Sequence, residues 1–165
     1  MNIKKIYFDM DCVLADFKKG VNELCGIPVP EQGKATDAED DKMWDAIKAV
    51  DHFYDRLDPM PGAVEMFQEL SSRYECAILS APPKPKRGIL TAKDDKISWV
   101  RRILSDTMEI NIVPKEEKQL KAEGPEYVLI DDMPKNIEAW GKAGGTGIRF
   151  ESPEQVLAKI RELEK

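Results

Sequence analysis

The stretch Ile6-Tyr7-Phe8-Asp9-Met10-Asp11 admits few folds. Its first three residues are bulky, apolar and β-prone, and suit a buried strand. The chain then breaks at once into two carboxylates one residue apart, at that strand's carboxyl end or just past it. Two acids so close repel and resist desolvation unless a cation or a shared proton offsets them. In open α/β sheets the central strands read as continuous apolar runs, and ligands bind outside their carboxyl ends. A strand finishing in paired acids therefore predicts a parallel sheet with a site at that edge. The plainer alternative is a surface turn, where Asp is common.

The rest of the chain repeats the pattern. With residues 3–9 as the first strand, Cys76–Ser80, Ile110–Val113, Tyr127–Ile130 and Thr146–Phe150 are further short apolar runs. Amphipathic spacing predicts helices over 62–73, 94–104 and 134–143, and a short polar one over 115–123. Ser152-Pro153-Glu154-Gln155 supplies an N-cap, a proline at the first helical position and the Gln of a capping box for the last helix. Five strands alternating with helices predict an α/β fold, a doubly wound parallel sheet of about five strands covered on both faces.

Residues 17–60 interrupt that alternation. A helix over 17–26 stops at Gly26, Pro28, Pro30 and Gly33 forbid regular pairing, and an acid-headed amphipathic helix follows over 37–50. Asp58-Pro59-Met60-Pro61-Gly62 then forms a rigid connector. The segment is predicted to be a small helical cap, leaving 1–16 and 61–165 as the core.

A formal charge of −6 over 165 residues argues against a nucleic-acid polymer as partner. It leaves room for a small anionic ligand, because a bound divalent cation inverts the local charge. Cys12, Cys25 and Cys76 form neither an even framework nor a Cys-x-x-Cys pair, which points to a reduced compartment. The opening residues do not read as a signal peptide, and no apolar run approaches the ~20 residues that span a bilayer. A cytoplasmic protein without a membrane partner is expected, and nothing excludes a homodimer. His52 is the sole histidine, so no Ser-His machinery can be assembled. Gly144-Gly145-Thr146-Gly147 follows a helix and reads as its stop, not as a dinucleotide loop.

The polar groups that fall just after a strand are Asp9 and Asp11, Ser80, and Asp131 and Asp132. Lys96 joins them if the loop after Ser80 folds back and the next helix points its first turn inward. Carboxylates without His or Cys suit a hard cation, Mg²⁺ before Zn²⁺.

Asp9-Met10-Asp11, Ser80 after an apolar strand, Lys96 opening a helix and Asp131-Asp132 after another apolar strand occur in that order over nearly the whole chain. This arrangement resembles the haloacid dehalogenase superfamily of phosphotransferases. Phe-Asp-Met-Asp-x-Val-Leu-Ala-Asp-Phe over 8–17, Pro59-Met60-Pro61-Gly62-Ala63 and Ile130-Asp131-Asp132 are similar to its 5'(3')-deoxyribonucleotidase group.

The resemblance implies that Asp9 attacks phosphorus to form an aspartyl-phosphate. Asp11 would protonate the leaving oxygen and then deprotonate water. It also implies Mg²⁺ on the carboxylates of Asp9 and Asp131 and the main-chain oxygen of Asp11, with Ser80 and Lys96 on phosphoryl oxygens. Asp132 would orient Lys96 or a metal-bound water, or else cap the following helix. An acid at Asp11 favours phosphate-ester hydrolysis over carbon–halogen cleavage.

Phe17 matches by position a base-contacting aromatic of that group. Trp44, Phe53 and Tyr54 offer further stacking surface, or else form the insertion's own small core. Three features depart from the pattern. Cys12 stands where many relatives have Gly, the loop after Ser80 reads Ala-Pro-Pro-Lys, and the insertion is short. Cys12 reads as a packed thiol, and Lys84, Lys86 and Arg87 as a solvated basic loop. The implied substrate is a nucleoside monophosphate, with a sugar phosphate as alternative. A phosphoryl-accepting receiver-like domain or an inactive binding domain is the reading from another class.

Overall fold

The computed structural model describes residues 1–165. Five parallel strands, β1 (Lys5–Phe8), β2 (Glu75–Ser80), β3 (Glu109–Ile112), β4 (Tyr127–Asp131) and β5 (Thr146–Arg149), lie in the order β3-β2-β1-β4-β5. The chain winds outward from β1 through β2 to β3, then returns to β4 on the other flank of β1. The order reverses there, so the crevice between β1 and β4 is the switch point at which such sheets bind ligands. Register brings Phe8 level with Ile78 and Ile130, so β1, β2 and β4 finish side by side.

Helices cover both faces: α1 (Phe17–Gly20, continued by a π turn over Val21–Cys25), α2 (Asp37–Ala49), α3 (Ala63–Ser71), α4 (Ala92–Ile103), α5 (Pro134–Lys142) and α6 (Pro153–Glu164). Strand alternation divides the apolar residues between the faces. Ile6, Phe8, Ile78, Val128 and Ile130 pack with α3, α4 and α6 in one cluster of 29 buried residues. Tyr7, Ala77, Leu79 and Leu129 turn the other way and are covered by Trp140 of α5 and by Ala122. Gly145, at the helix stop, allows a close approach there. A Cβ built on it would lie 2.2 Å from Trp140 Nε1 and 2.6 Å from Cδ1. Gly145→Ala should cost about 1–3 kcal/mol through overpacking. That lowers the melting temperature by roughly 2–12 °C, and an unchanged melt would show that Trp140 yields freely.

Several element ends differ from expectation for local reasons. β1 is shorter than 3–9, although Ile3 is buried, and β5 ends one residue early. α4 starts at Ala92, two residues before the predicted 94. At α6 Ser152 accepts the Gln155 N–H, but the Gln155 side chain reaches Glu151 N and Arg149 O, so the box is not closed. A complete capping box lies at α2, between Thr36 and Glu39.

Residues 17–60 do not build a separate core. Phe17, Val21, Met43, Ile47, Phe53, Tyr54 and Leu57 belong to the 29-residue cluster that also contains the sheet residues. The Phe17 ring lies 5.8 Å from Phe53 and 6.4 Å from Tyr54. Trp44, partly buried, packs 6.2 Å from Phe17. A 3-10 turn, Phe53–Arg56, leads out of the segment and docks on α4, where Trp99 Nε1 donates to Leu57 O at 2.8 Å.

Candidate active site

Asp9 follows β1 directly and is buried at the sheet's carboxyl edge. Beyond it the chain coils tightly, and the Met10 carbonyl accepts the N–H groups of Val13, Leu14 and Ala15 at 2.9–3.1 Å. The coil requires a left-handed residue, and Cys12 takes that role with φ of 67°. Burial, reinforced by Asp132, Asp11 and Asp9, pushes the Cys12 thiol far above its ordinary pKa. Held as a thiol in this way, it packs as a small apolar side chain.

Lys96 is fully buried and donates to Asp11 Oδ2 at 3.1 Å, Ser80 Oγ at 2.9 Å and Ala81 O at 2.9 Å. The Tyr54 ring faces the same ammonium, 4.7 Å from its centroid. Lys96 therefore joins the strand-end groups Asp11 and Ser80, although it lies on the second turn of α4 and not at its start.

The other Asp11 oxygen, Oδ1, is shut from solvent and has no partner. Burial lifts the Asp11 carboxyl above the usual carboxylate range against the pull of Lys96, with Asp9 adding to the rise.

A second lysine, Lys118, comes from the 3-10 turn Lys115–Lys121 and was not anticipated. Its ammonium lies 3.1 Å from Asp9 Oδ1 and 3.0 Å from Asp131 Oδ2. Burial opposes the charge, but Asp9 and Asp131 override it and hold the Lys118 pKa above its ordinary value. The run Lys-Glu-Glu-Lys-Gln reads as solvated, which hides this residue. The usable signal was charge balance, because Lys96 alone cannot offset the four acids at the ends of β1 and β4.

Asp131, the last residue of β4, is fully buried. Its Oδ1 accepts the Met133 N–H at 2.9 Å, and its Oδ2 accepts from Lys118 and from Asn136 Nδ2 at 3.0 Å. Oxygens of Asp9, Asp131 and Asp132 all lie within 4.8 Å of one another. Burial first, then the charges of the neighbouring acids, holds Asp131 and Asp132 above the ordinary carboxylate range.

Asp132 was expected to orient Lys96 or a metal-bound water, or else to cap the following helix. Asp132 does not orient Lys96, whose three bonds go elsewhere, and it does not cap α5, where Met133 is the N-cap residue without a side-chain bond. The Asp11 carboxylate is committed to Lys96, so the third acid of the cluster is Asp132. An all-oxygen set of three carboxylates fits a hard divalent cation, and neither His nor Cys competes.

Beside this edge the segment 17–60 forms a cavity of about 260 Å³ lined by Phe17, Val29, Pro30, Gln32, Ala35 and Met43, among others. Gln32 Nε2 contacts Asp132 Oδ2 at 3.4 Å and Met133 Sδ at 2.7 Å, joining the cavity to the acids. Phe17 thus lines the cavity, whereas Trp44 packs on Phe17 from outside the lining. Arg87 of the basic loop is tied to Asp41 of α2 at 2.6 Å, so that loop is partly fastened and not wholly solvated.

Residues 2–161 match the family described as 5' nucleotidase, deoxy (pyrimidine), cytosolic type C protein. The chain belongs to this nucleotidase family. A candidate 5'(3')-deoxyribonucleotidase of Vibrio phage KVP40 is 30% identical over 149 residues, covering 90% of this chain and 76% of the phage protein. Among solved structures, the L-2-haloacid dehalogenase of Xanthobacter autotrophicus with chloropropionic acid covalently bound superposes with a TM-score of 0.56 at 15% identity. That match covers 97% of this chain and 83% of the dehalogenase. A HAD-hydrolase candidate, YfnB of Bacillus subtilis, bound to magnesium, superposes with a TM-score of 0.52 at 13% identity, covering 93% and 92%.

The nucleotidase is thus a phosphatase of the haloacid dehalogenase superfamily, which sets the receiver-like reading aside. No helix in it is long and apolar enough to cross a membrane.

Proposed function

We propose that the nucleotidase is a Mg²⁺-dependent phosphomonoesterase acting through an aspartyl-phosphate on nucleoside monophosphates, deoxyribonucleotides foremost. The observation that carries this reading is the contrast between its first two acids. Asp9 is gripped by the Lys118 ammonium, whereas Asp11 has a raised pKa and an unpartnered inner oxygen. Two carboxyl groups whose surroundings separate them in this way suit a nucleophile and a proton donor.

A carboxylate oxygen of Asp9 forms a bond to phosphorus as the ester P–O bond breaks, and Asp11 gives its proton to the departing oxygen. Asp11 then takes a proton from the water that attacks the phosphoryl group, which frees phosphate and restores Asp9. Ser80 and Lys96 hold the transferring oxygens, Lys96 giving up one of its three present bonds to do so, the positioning on which phosphoryl transfer depends. Asp9, Asp131 and Asp132 would hold the Mg²⁺, with the Asp11 main-chain oxygen as a further ligand. The bound ion supplies positive charge between an anionic nucleophile and an anionic ester.

Residues 17–60 serve as the cap. Their cavity is close to the lower end of the ~300–1,000 Å³ typical of ligand pockets and suits a single-ring group against Phe17, with Trp44 backing it. The free thiols Cys12, Cys25 and Cys76 accord with a cytoplasmic setting.

Phosphate release from a panel of deoxynucleotides, ribonucleotides and sugar phosphates, with Mg²⁺ and with a chelator, tests the proposal. Turnover of deoxynucleotides that chelation abolishes is the expected result. Turnover of a sugar phosphate with every nucleotide inert would overturn the substrate assignment, and chelator-resistant turnover the metal.

A further inference from the structure

Lys96 owes its aim to the first turns of α4, and these are held in an unusual way. The N-cap residue Thr91 makes no side-chain bond to the backbone N–H groups of its helix. Its hydroxyl donates instead to Asp95 Oδ2 at 2.6 Å. The other oxygen of Asp95 lies 2.8 Å from His52 Nδ1. Asp95 is buried and immediately precedes Lys96. His52 sits at the corner after α2 with φ of 53°, a left-handed conformation that a non-glycine residue keeps only where its surroundings impose it. The same segment is fastened further along α4, where Ser98 Oγ donates to Asp55 at 3.0 Å and Arg102 donates to the Asp55 carboxylate at 3.1 Å.

We propose that His52, acting through Asp95, is a positioning residue that fixes the start of α4 and so directs the Lys96 ammonium at Asp11 and Ser80. For catalysis this rests on the reading of Lys96 as a phosphoryl-binding group. A carboxylate bonded on one side by Thr91 and on the other by His52 cannot rotate, and the helical residue beside it inherits that rigidity. His52 thereby couples the exit of the 17–60 segment to a side chain of the phosphate site.

The charged groups facing His52 are Asp51, 3.6 Å from Nε2, and Asp55 on its own segment, with Asp95 on α4. The hydrogen bond to Asp95, then the charge of Asp51, raises the His52 pKa. The sign follows from that direction. The charge-assisted pair is complete below the ordinary histidine pKa of about 6.5. It weakens to a neutral hydrogen bond as pH rises through the raised value.

His52→Ala and His52→Asn test the idea together. Asn tolerates a left-handed backbone, and its amide nitrogen stands near the place of Nδ1, so it donates to Asp95 at every pH. His52→Ala should lower kcat about 10-fold, short of the ~10²-fold that a displacement of about 1 Å costs. His52→Asn should restore most of that turnover and flatten the limb of the pH profile that falls as His52 loses its proton.

Proton–nitrogen correlation NMR of the Lys96 ammonium supplies a readout independent of turnover. Its resonance should follow the His52 titration in the parent protein and ignore pH over that range in His52→Asn. A His52→Ala protein with a lower melting temperature but unchanged kcat and pH profile would overturn the proposal. So would a Lys96 signal indifferent to His52. If the Lys96 signal follows His52 while no phosphate ester is turned over, the positioning stands and the proposed activity fails.

Discussion

Asp9→Asn should silence turnover by about 10⁴-fold or more, the scale seen when a nucleophile is removed from a covalent mechanism. An amide cannot attack phosphorus, and the nearest other carboxylates already serve other partners. Asp11 is bonded to Lys96, and Asp131 has both oxygens committed to Lys118, Asn136 and the Met133 N–H. The fold should survive. Asp9 is one of the charges that hold Asp131 and Asp132 above their ordinary range, so neutralising it relieves repulsion. Lys118 loses one partner but keeps Asp131 at 3.0 Å. A melting temperature within a few degrees of the parent, roughly a 1 kcal/mol change, is expected beside the lost activity. Phosphate-release assays and thermal melts read both quantities, and activity within tenfold of the parent would remove Asp9 from the nucleophile's role.

Lys118→Met should be the most damaging change to stability. Methionine keeps an unbranched apolar stem and removes the charge. Asp9 and Asp131, with side chains 9% and 0% exposed, would then face each other without a cation. Breaking a buried ion pair by removing one partner costs about 3–5 kcal/mol. That corresponds to a fall in melting temperature of roughly 6–20 °C for a chain of this size. Turnover should drop by about 10²-fold or more, because the nucleophile loses the contact that aims it. Millimolar Mg²⁺ should restore part of the stability by binding the bared acids, an effect the parent protein shows less strongly. A variant that melts like the parent in chelator would show that Lys118 does not neutralise the pair.

The sequence carried some parts of this site openly and concealed others. Asp9, Ser80 and Asp131 were legible because each ends an apolar run, and a parallel sheet leaves little freedom in where such ends fall. Lys96 needed a further condition, that the loop after Ser80 fold back, and the structure meets it with a helix that starts two residues earlier than its spacing indicated. Lys118 was invisible because a buried lysine in a polar 3-10 turn has the same letters around it as a solvated one. What buries it is the packing of its own turn against β2 and α5, which no local period encodes. Asp132 was left with several possible roles for a related reason. It stands just beyond the pairing of β4, where its loop lets it turn to the acids and not to Lys96. The insertion's aromatics are shared between the two readings offered for them. Phe53 and Tyr54 are core, yet Tyr54 also faces Lys96, and Phe17 also lines the cavity.

The ladder pairing Phe8 with Ile78 and Ile130 acts as a ruler for the reaction. Neighbouring strands lie about 4.8 Å apart, and side chains change face at every step. Deleting one residue inside β4 would move Asp132 into the place of Asp131 and turn Leu129 and Ile130 inside out. Lengthening the loops of 17–60 disturbs no rung. Divergence among such enzymes is therefore free to rewrite what is grasped, while how the bond is cut stays locked to the backbone.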